Sequence, residues 1–298
     1  MKPHLMRYYD DTGVRKYLRA GIETVRLMDA RPIGVFDSGL GGLTTVKKLT
    51  ELMPGEDIIY LGDTGRVPYG SRSRETILKY ARQDTAFLMN RDIKALVIAC
   101  NTVCSSVSPA DLSDYTRGIP VYEVVSAPAA AAARLTKNGK IGVIGTKATI
   151  RSGAYEAALT QLSPGLQVRS ASCPLFVPLV EDGVTSVDDI AVMAIAERYL
   201  ADLRDSGVDT LLLGCTHYPL LKGVISKVMG PGVALIDSGA ETAKLVSDNL
   251  AARMMLSPAS ATASLRFYVT DGVEGFETLA SMFLESDVNG RVEQVALE

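Results

Sequence analysis

Two cysteines stand in matching contexts. Cys100 closes the run ALVIAC and is followed by Asn101 and Thr102; Cys215 closes TLLLGC and is followed by Thr216 and His217. Each thiol follows a short apolar run that reads as a buried strand, where a parallel-sheet enzyme carries its reactive groups. The hydroxyl and amide residues behind the thiols are helix-capping types. A thiol at a helix start sits in positive potential, which favours its thiolate. A single cysteine at a strand end is as readily a small buried hydrophobe. The repeated context sets this pair apart, and predicts two thiols facing each other across a cleft.

Facing thiols have three uses. A disulfide would disable both groups and is disfavoured in a reducing compartment. A metal site would need other spacings than Cys100-x-x-x-Cys104 and Cys215-Thr-His217, so no metal is expected. The third use is proton transfer on opposite faces of one carbon. Inverting a stereocentre through a planar carbanion needs a base on one side and an acid on the other, each tuned to titrate at working pH. No electron-sink cofactor is signalled; a pyridoxal lysine needs no motif and stays open at this point.

Other polar residues gather around the same strand ends. Asp37-Ser38-Gly39-Leu40-Gly41-Gly42 follows an apolar run and opens a helix, with glycines that would let backbone N–H groups approach an anion. Its G-x-G-G spacing is not the dinucleotide fingerprint G-x-G-x-x-G. Pro68-Tyr69-Gly70 reads as a tight turn. Asn101, Thr102, Thr146, Thr149 and Thr216 lie just after expected strands, where hydroxyls and amides suit carboxylates better than polyphosphates. Most such residues are plain caps in an α/β protein. His217 sits two residues from Cys215 and could hold its proton. Cys104 and Cys173 read as packing residues.

These groups need a scaffold, and the chain supplies one. Apolar runs at 33–37, 58–61, 95–99, 121–125, 141–144, 210–213, 233–236 and 265–269 fit strands buried on both faces. Segments 42–53 and 73–91 read as helices, and Ser186-Val-Asp-Asp189 as a helix start ahead of Ile190, Met193, Ala194 and Leu200. The alternation argues for an α/β fold with mainly parallel sheets. IGVFDSG (33–39) echoes IGVIGT (141–146), and ALVIACNT (95–102) echoes TLLLGCTH (210–217). Both echoes recur after about 110 residues, the size of a small domain. Two pseudo-symmetric α/β domains with the site in the cleft between them would explain this. The expected division is an N-terminal extension at 1–31, a first domain at 32–126 plus 238–298, and a second at 127–237. Within the extension, Val14, Leu18, Ile22 and Val25 suggest an amphipathic helix over 13–28.

Composition narrows the class. Of 298 residues, 47% are hydrophobic and 22% charged, with a net charge of −3, so neither a disordered chain nor a basic nucleic-acid binder is expected. No segment reaches the ~18 apolar residues of a membrane span, and no secretory h-region follows the first basic residues. With 4 cysteines the chain is no disulfide scaffold, and a cytoplasmic location is expected.

Five segments together resemble bacterial glutamate racemases: IGVFDSGLGGL (33–43), GDTGRVPYG (62–70), LVIACNT (96–102), IGVIGTKATIRSGAY (141–155) and LLLGCTHYPLL (211–221). The resemblance implies a racemase without cofactor that interconverts L- and D-glutamate and supplies D-glutamate for peptidoglycan. It implies Cys100 and Cys215 as the proton donor/acceptor pair, Cys100 serving the D-enantiomer and Cys215 the L-enantiomer, with Asp37 and His217 assisting. It implies substrate contacts from Asp37, Ser38, Tyr69, Gly70, Asn101, Thr102, Thr216 and His217, with Thr146 and Thr149 as further matches. Glu181, in FVPLVEDG, resembles an acidic residue behind the site. A homodimer is implied as well. The chain departs from the usual pattern at Val103, Cys104, Gly65 and Val67, none in a core role. The nearest rival is a racemase of aspartate or a related acid. A rival of another class is a non-catalytic regulator, since some members of the family inhibit DNA gyrase.

Overall fold

In the computed structural model, which describes residues 6–9, 15–18, 29–257 and 263–297, every one of these apolar runs becomes a strand. The strands are β1 (Met6–Tyr9), β2 (Arg15–Leu18), β3 (Ile33–Asp37), β4 (Ile58–Gly62), β5 (Ala95–Ile98), β6 (Val121–Glu123), β7 (Lys140–Gly145), β8 (Gln167–Ser172), β9 (Thr210–Gly214), β10 (Ala234–Asp237), β11 (Leu265–Val269) and β12 (Val292–Gln294). β3, β4 and β9 are buried at every position, as strands covered on both faces by helices must be.

Two all-parallel sheets result. One has six strands in the order β12-β11-β4-β3-β5-β6, the other four in the order β10-β9-β7-β8. The shared portions β4-β3-β5-β6 and β8-β7-β9-β10 have the same order, so the sequence echo is a topological one. The echoing segments occupy adjacent central strands in each sheet: β3 beside β5 in one, and their counterparts β7 beside β9 in the other. Reactive groups at the ends of β5 and β9 therefore hold equivalent places in the two sheets. After β10 the chain turns into helix Ser238–Ala252, whose cap is the Asp237 carboxylate accepting from Ala240 N at 3.1 Å. It then returns to the six-stranded sheet as β11.

Several expectations need correction. The strand expected through Val125 stops at Glu123, because the Glu123 carboxylate accepts from the N–H groups of Val125 (2.6 Å) and Ser126 (2.9 Å) and bends the chain into helix Ser126–Leu135. The helix expected from Ser186 begins at Ile190, because Asp189 accepts from Ala191 N and Val192 N while Ser186 Oγ accepts from Asp188 N. Its buried face is Val192, Ala196, Leu200 and Leu203, and Ile190 is 86% exposed. The amphipathic helix expected over 13–28 is displaced at 15–18 by β2, which pairs antiparallel with β1. Tyr8, Tyr9 and Tyr17 favour strand there; the rest of that segment lies outside the described residues. β8 and β12 were not foreseen: both are sheet-edge strands with partly exposed, polar sequences.

Candidate active site

A cavity of about 360 Å³ lies where the ends of β3, β5, β7 and β9 converge, at the small end of ligand-site sizes. Both Cys100 and Cys215 line it, and both are free and buried. Ser38, Tyr69, Gly70, Asn101, Thr102, Thr146, Glu181, Thr216 and His217 line it too. Among the expected site residues, Asp37 and Thr149 are not on its surface; each is buried directly behind a lining neighbour.

The Cys100 side is built by β3 and β5. Asp37 ends β3, with its Oδ2 accepting from Gly39 N at 3.3 Å and Gly42 N at 3.0 Å. The glycine run thus does bring backbone N–H groups to an anion, but the anion is the chain's own carboxylate. Asp37 Oδ1 is buried with no partner. Cys100 Sγ lies 3.3 Å from Ser38 Oγ. Burial first, and then the negative charge of Asp37, push the Cys100 thiol up to about 12. The helix start behind it, Asn101–Cys104, is one turn long and does not offset this. Cys100 is therefore held as a thiol, against the thiolate expected from its place before a helix.

The Cys215 side differs. No helix begins at Cys215; a short 3-10 turn starts at Tyr218. Instead the sulfur lies 3.9 Å from His217 Nδ1, and His217 Nε2 lies 2.9 Å from Glu181 Oε1. Burial pulls the imidazole down, but the contacts with Cys215 and Glu181 outweigh it and push His217 up to about 10. Sulfur, imidazole and carboxylate are thus in contact in sequence along the cavity wall. His217 is also held edge-on to Phe283, with ring centroids 5.7 Å apart. Gly41 is what lets the two sides close up: a Cβ there would lie 2.0 Å from Thr216 Oγ1 and 2.6 Å from His217 Nδ1.

Hydroxyls and amides bridge the sides. Thr102 Oγ1 and Thr146 Oγ1 are 3.2 Å apart, and Thr146 Oγ1 is 3.0 Å from Thr149 Oγ1. Thr146 also caps helix Lys147–Ser152 by accepting from Thr149 N. Thr44 Oγ1, from the first half of the chain, donates to Thr216 O at 2.9 Å. Asn101 is fixed by Tyr155 and Ser238 on its two amide atoms. Sequence reasoning missed Lys147, exposed at the rim, and the apolar wall of Val67, Pro174, Val177 and Pro178. An apolar wall residue carries the same signal in sequence as a core residue, so nothing marked these four. Cys104 and Cys173 are packing residues, as expected: Cys173 is wholly buried, and the Cys104 thiol contacts Ile98 O at 3.3 Å. Among the described residues there is no cluster of three or more His, Cys, Asp or Glu of the kind that holds a metal ion, and no helix is long and apolar enough to cross a membrane.

Proteins of similar sequence and fold are found among the racemases. The family profile described as Asp/Glu/Hydantoin racemase matches residues 33–246. A glutamate racemase of Geobacter metallireducens is 46% identical over 271 residues, covering 91% of this chain and 98% of that protein. The crystal structure of a Francisella tularensis glutamate racemase in complex with D-glutamate superposes with a TM-score of 0.83 at 39% identity, covering 91% of this chain and 99% of the other. The glutamate racemase isoform RacE1 of Bacillus anthracis superposes with a TM-score of 0.84 at 40% identity, covering 90% and 98%.

Proposed function

The chain belongs to the Asp/Glu/hydantoin racemase family, among its glutamate racemases, and on that premise we propose that it interconverts L- and D-glutamate by passing a proton between Cys100 and Cys215. The observation that carries this reading is the pair of buried thiols at equivalent strand ends of two matching sheets, lining one cavity.

The chemistry follows from the asymmetry of the two sides. With L-glutamate bound, the Cys215 sulfur takes the α-proton; His217, an imidazolium at neutral pH, supports that sulfur as an anion. The electron pair left on Cα spreads into the α-carboxylate. Cys100, which burial keeps protonated, returns a proton to the opposite face. The product is D-glutamate, with the proton deficit moved from Cys215 to Cys100. The reverse reaction starts from that second state. Asp37, buried behind the cavity surface, holds the Ser38–Gly42 turn through Oδ2, and its unpartnered Oδ1 adds an acceptor behind Ser38 on the Cys100 side, where negative charge favours the substrate ammonium. Ser38, Asn101, Thr102, Thr146 and Thr216 supply hydroxyl and amide donors for the two carboxylates, with Thr149 orienting Thr146. Such fixed donors stabilise charge as it develops. Tyr69 and Gly70 wall the cavity, and Glu181 sets His217.

On this reading the two sheets are two domains, 32–126 with 238–298 and 127–237. The protein works as a homodimer in the cytoplasm, and its D-glutamate serves peptidoglycan synthesis. Circular dichroism of L- and D-glutamate incubated with the protein and no added cofactor tests the activity. Racemisation from both sides supports it, and turnover of aspartate but not glutamate contradicts it. Cys100→Ser and Cys215→Ser should each abolish most racemisation; full activity in either would overturn the two-thiol mechanism.

A further inference from the structure

Behind Tyr69 lies a buried charge cluster that the mechanism does not use. Asp63, one residue after β4, and Asp84, on helix Arg74–Met89, both have side chains of 0% exposure. Arg66 bridges them, its Nε 2.5 Å from Asp63 Oδ2 and its Nη2 3.0 Å from Asp84 Oδ1. Arg66 Nη1 also donates to Gln83 Oε1 at 2.6 Å, and the guanidinium lies 4.1 Å over the Tyr80 ring, which packs on the Tyr69 ring. Thr270 Oγ1 donates to Asp63 Oδ1 at 2.8 Å. The Tyr69 hydroxyl meets Asp63 Oδ2 closely and lies 3.3 Å from Asp84 Oδ2. Arg66 and Tyr69 bracket the segment 66–69, and residues 67–71 line the cavity.

We propose that Asp84 is a positioning residue for the reaction, fixing through Tyr69 and Arg66 the wall of the cavity against which glutamate is held. Proton counting supports the geometry. Tyr69 has a single hydroxyl proton for two carboxylates, and it goes to Asp63 at the closer contact. Asp84 then makes a hydrogen bond to the Tyr69 oxygen only by carrying a proton of its own. Burial, and next the charge of Asp63, push the Asp84 carboxyl well above the usual carboxylate range. The cluster is then neutral: Arg66 balances Asp63, and Asp84 donates to Tyr69, which donates to Asp63. A rigid, uncharged support of this kind holds a wall without competing for the substrate's own charges.

The inference rests on the reading that glutamate occupies the cavity, and a binding measurement separates the two. Equilibrium dialysis of the full-length protein against carbon-14 glutamate gives the number of sites and the Kd independently of turnover. Asp84→Ala should weaken binding about tenfold per folded site, the effect of losing one buried hydrogen-bonded support. Asp84→Asn, a neutral isostere whose amide can donate to Tyr69, should stay within about threefold of wild type. Tyr69→Phe should resemble Asp84→Ala and serves if that variant does not fold. In racemisation assays the losses should appear in KM, with kcat changed less than about threefold, because neither thiol is touched. A merely structural role would lower the number of sites and leave Kd alone, and that result overturns the proposal. An Asp84→Asn variant as weak as Asp84→Ala overturns it too, as does a wild-type protein that binds no glutamate. Binding that responds as expected in a protein without racemisation leaves this inference standing and removes the catalytic reading.

Discussion

Replacing Glu181 with glutamine tests whether His217 acts as a carboxylate-supported imidazolium. The perturbed contact is a 2.9 Å hydrogen bond between His217 Nε2 and Glu181 Oε1. A charge-assisted hydrogen bond is worth about 1.5–3 kcal/mol. The Glu181 side chain is 36% exposed, so solvent screens part of this. A value of about 1.4 kcal/mol is then reasonable, which corresponds to about one pH unit in the His217 titration. In the wild type that midpoint should lie near 10; in Glu181→Gln it should fall by about one pH unit. The chain has only 2 histidines, His4 and His217, so a carbon-13 histidine label gives a two-signal spectrum, and His217→Asn assigns it. The alkaline limb of kcat, which reports the bound complex, should move down with the midpoint. A His217 midpoint near the ordinary 6.5 in the wild type, or one that Glu181→Gln leaves in place, would refute the reasoning.

Gly41→Ala should cut kcat by about a hundredfold or more, since the new Cβ would lie 2.0 Å from Thr216 Oγ1 and 2.6 Å from His217 Nδ1; a circular-dichroism assay with near-wild-type turnover would contradict the packing. Thr146→Ala loses a helix cap and a hydroxyl in the bridge between the sides, so thermal melts should show about 1 kcal/mol less stability and kinetics about a fivefold higher KM. Stability should also fall at alkaline pH. His217 is raised from 6.5 to about 10, so the folded protein keeps a proton the unfolded chain gives up. That stabilisation is complete below pH 6.5 and lost as the pH rises through 10. Cys100, raised from 9.0 to about 12, adds a loss of the same sign above 9.0. Urea melts at pH 7 and pH 10 should show the decline, and His217→Asn should flatten it.

The parallel architecture was legible because its strands are apolar on both faces; β3, β5, β7 and β9 could be read directly from runs such as IGVFD and TLLLG. The echo between them predicts that Cys100 and Cys215 share one cleft, and both line the same cavity. Edge strands such as β8, with the polar sequence QVRSAS, left no such trace. Nor did element ends set by one side chain, as where Glu123 terminates β6 and Asp189 starts a helix. At the site, the thiols, hydroxyls and His217 were legible from residue type and place. The upward shifts of Cys100 and His217 were not: they depend on burial and Asp37 at Cys100, and at His217 on contacts with Cys215 and with Glu181, 36 residues away in sequence. The cluster beneath Tyr69 was likewise hidden, because Asp84 reads in sequence as one more charged residue on a helix.

The central claim is that two sulfurs address opposite faces of one carbon. It is tested most directly by running the reaction from L-glutamate in deuterium oxide and stopping at low conversion. The account predicts D-glutamate deuterated at the α-carbon, because its new proton comes from the exchangeable Cys100 thiol, beside remaining L-glutamate that still carries protium. D-glutamate retaining its original α-hydrogen would mean one group both removes and returns the proton, and would contradict the account.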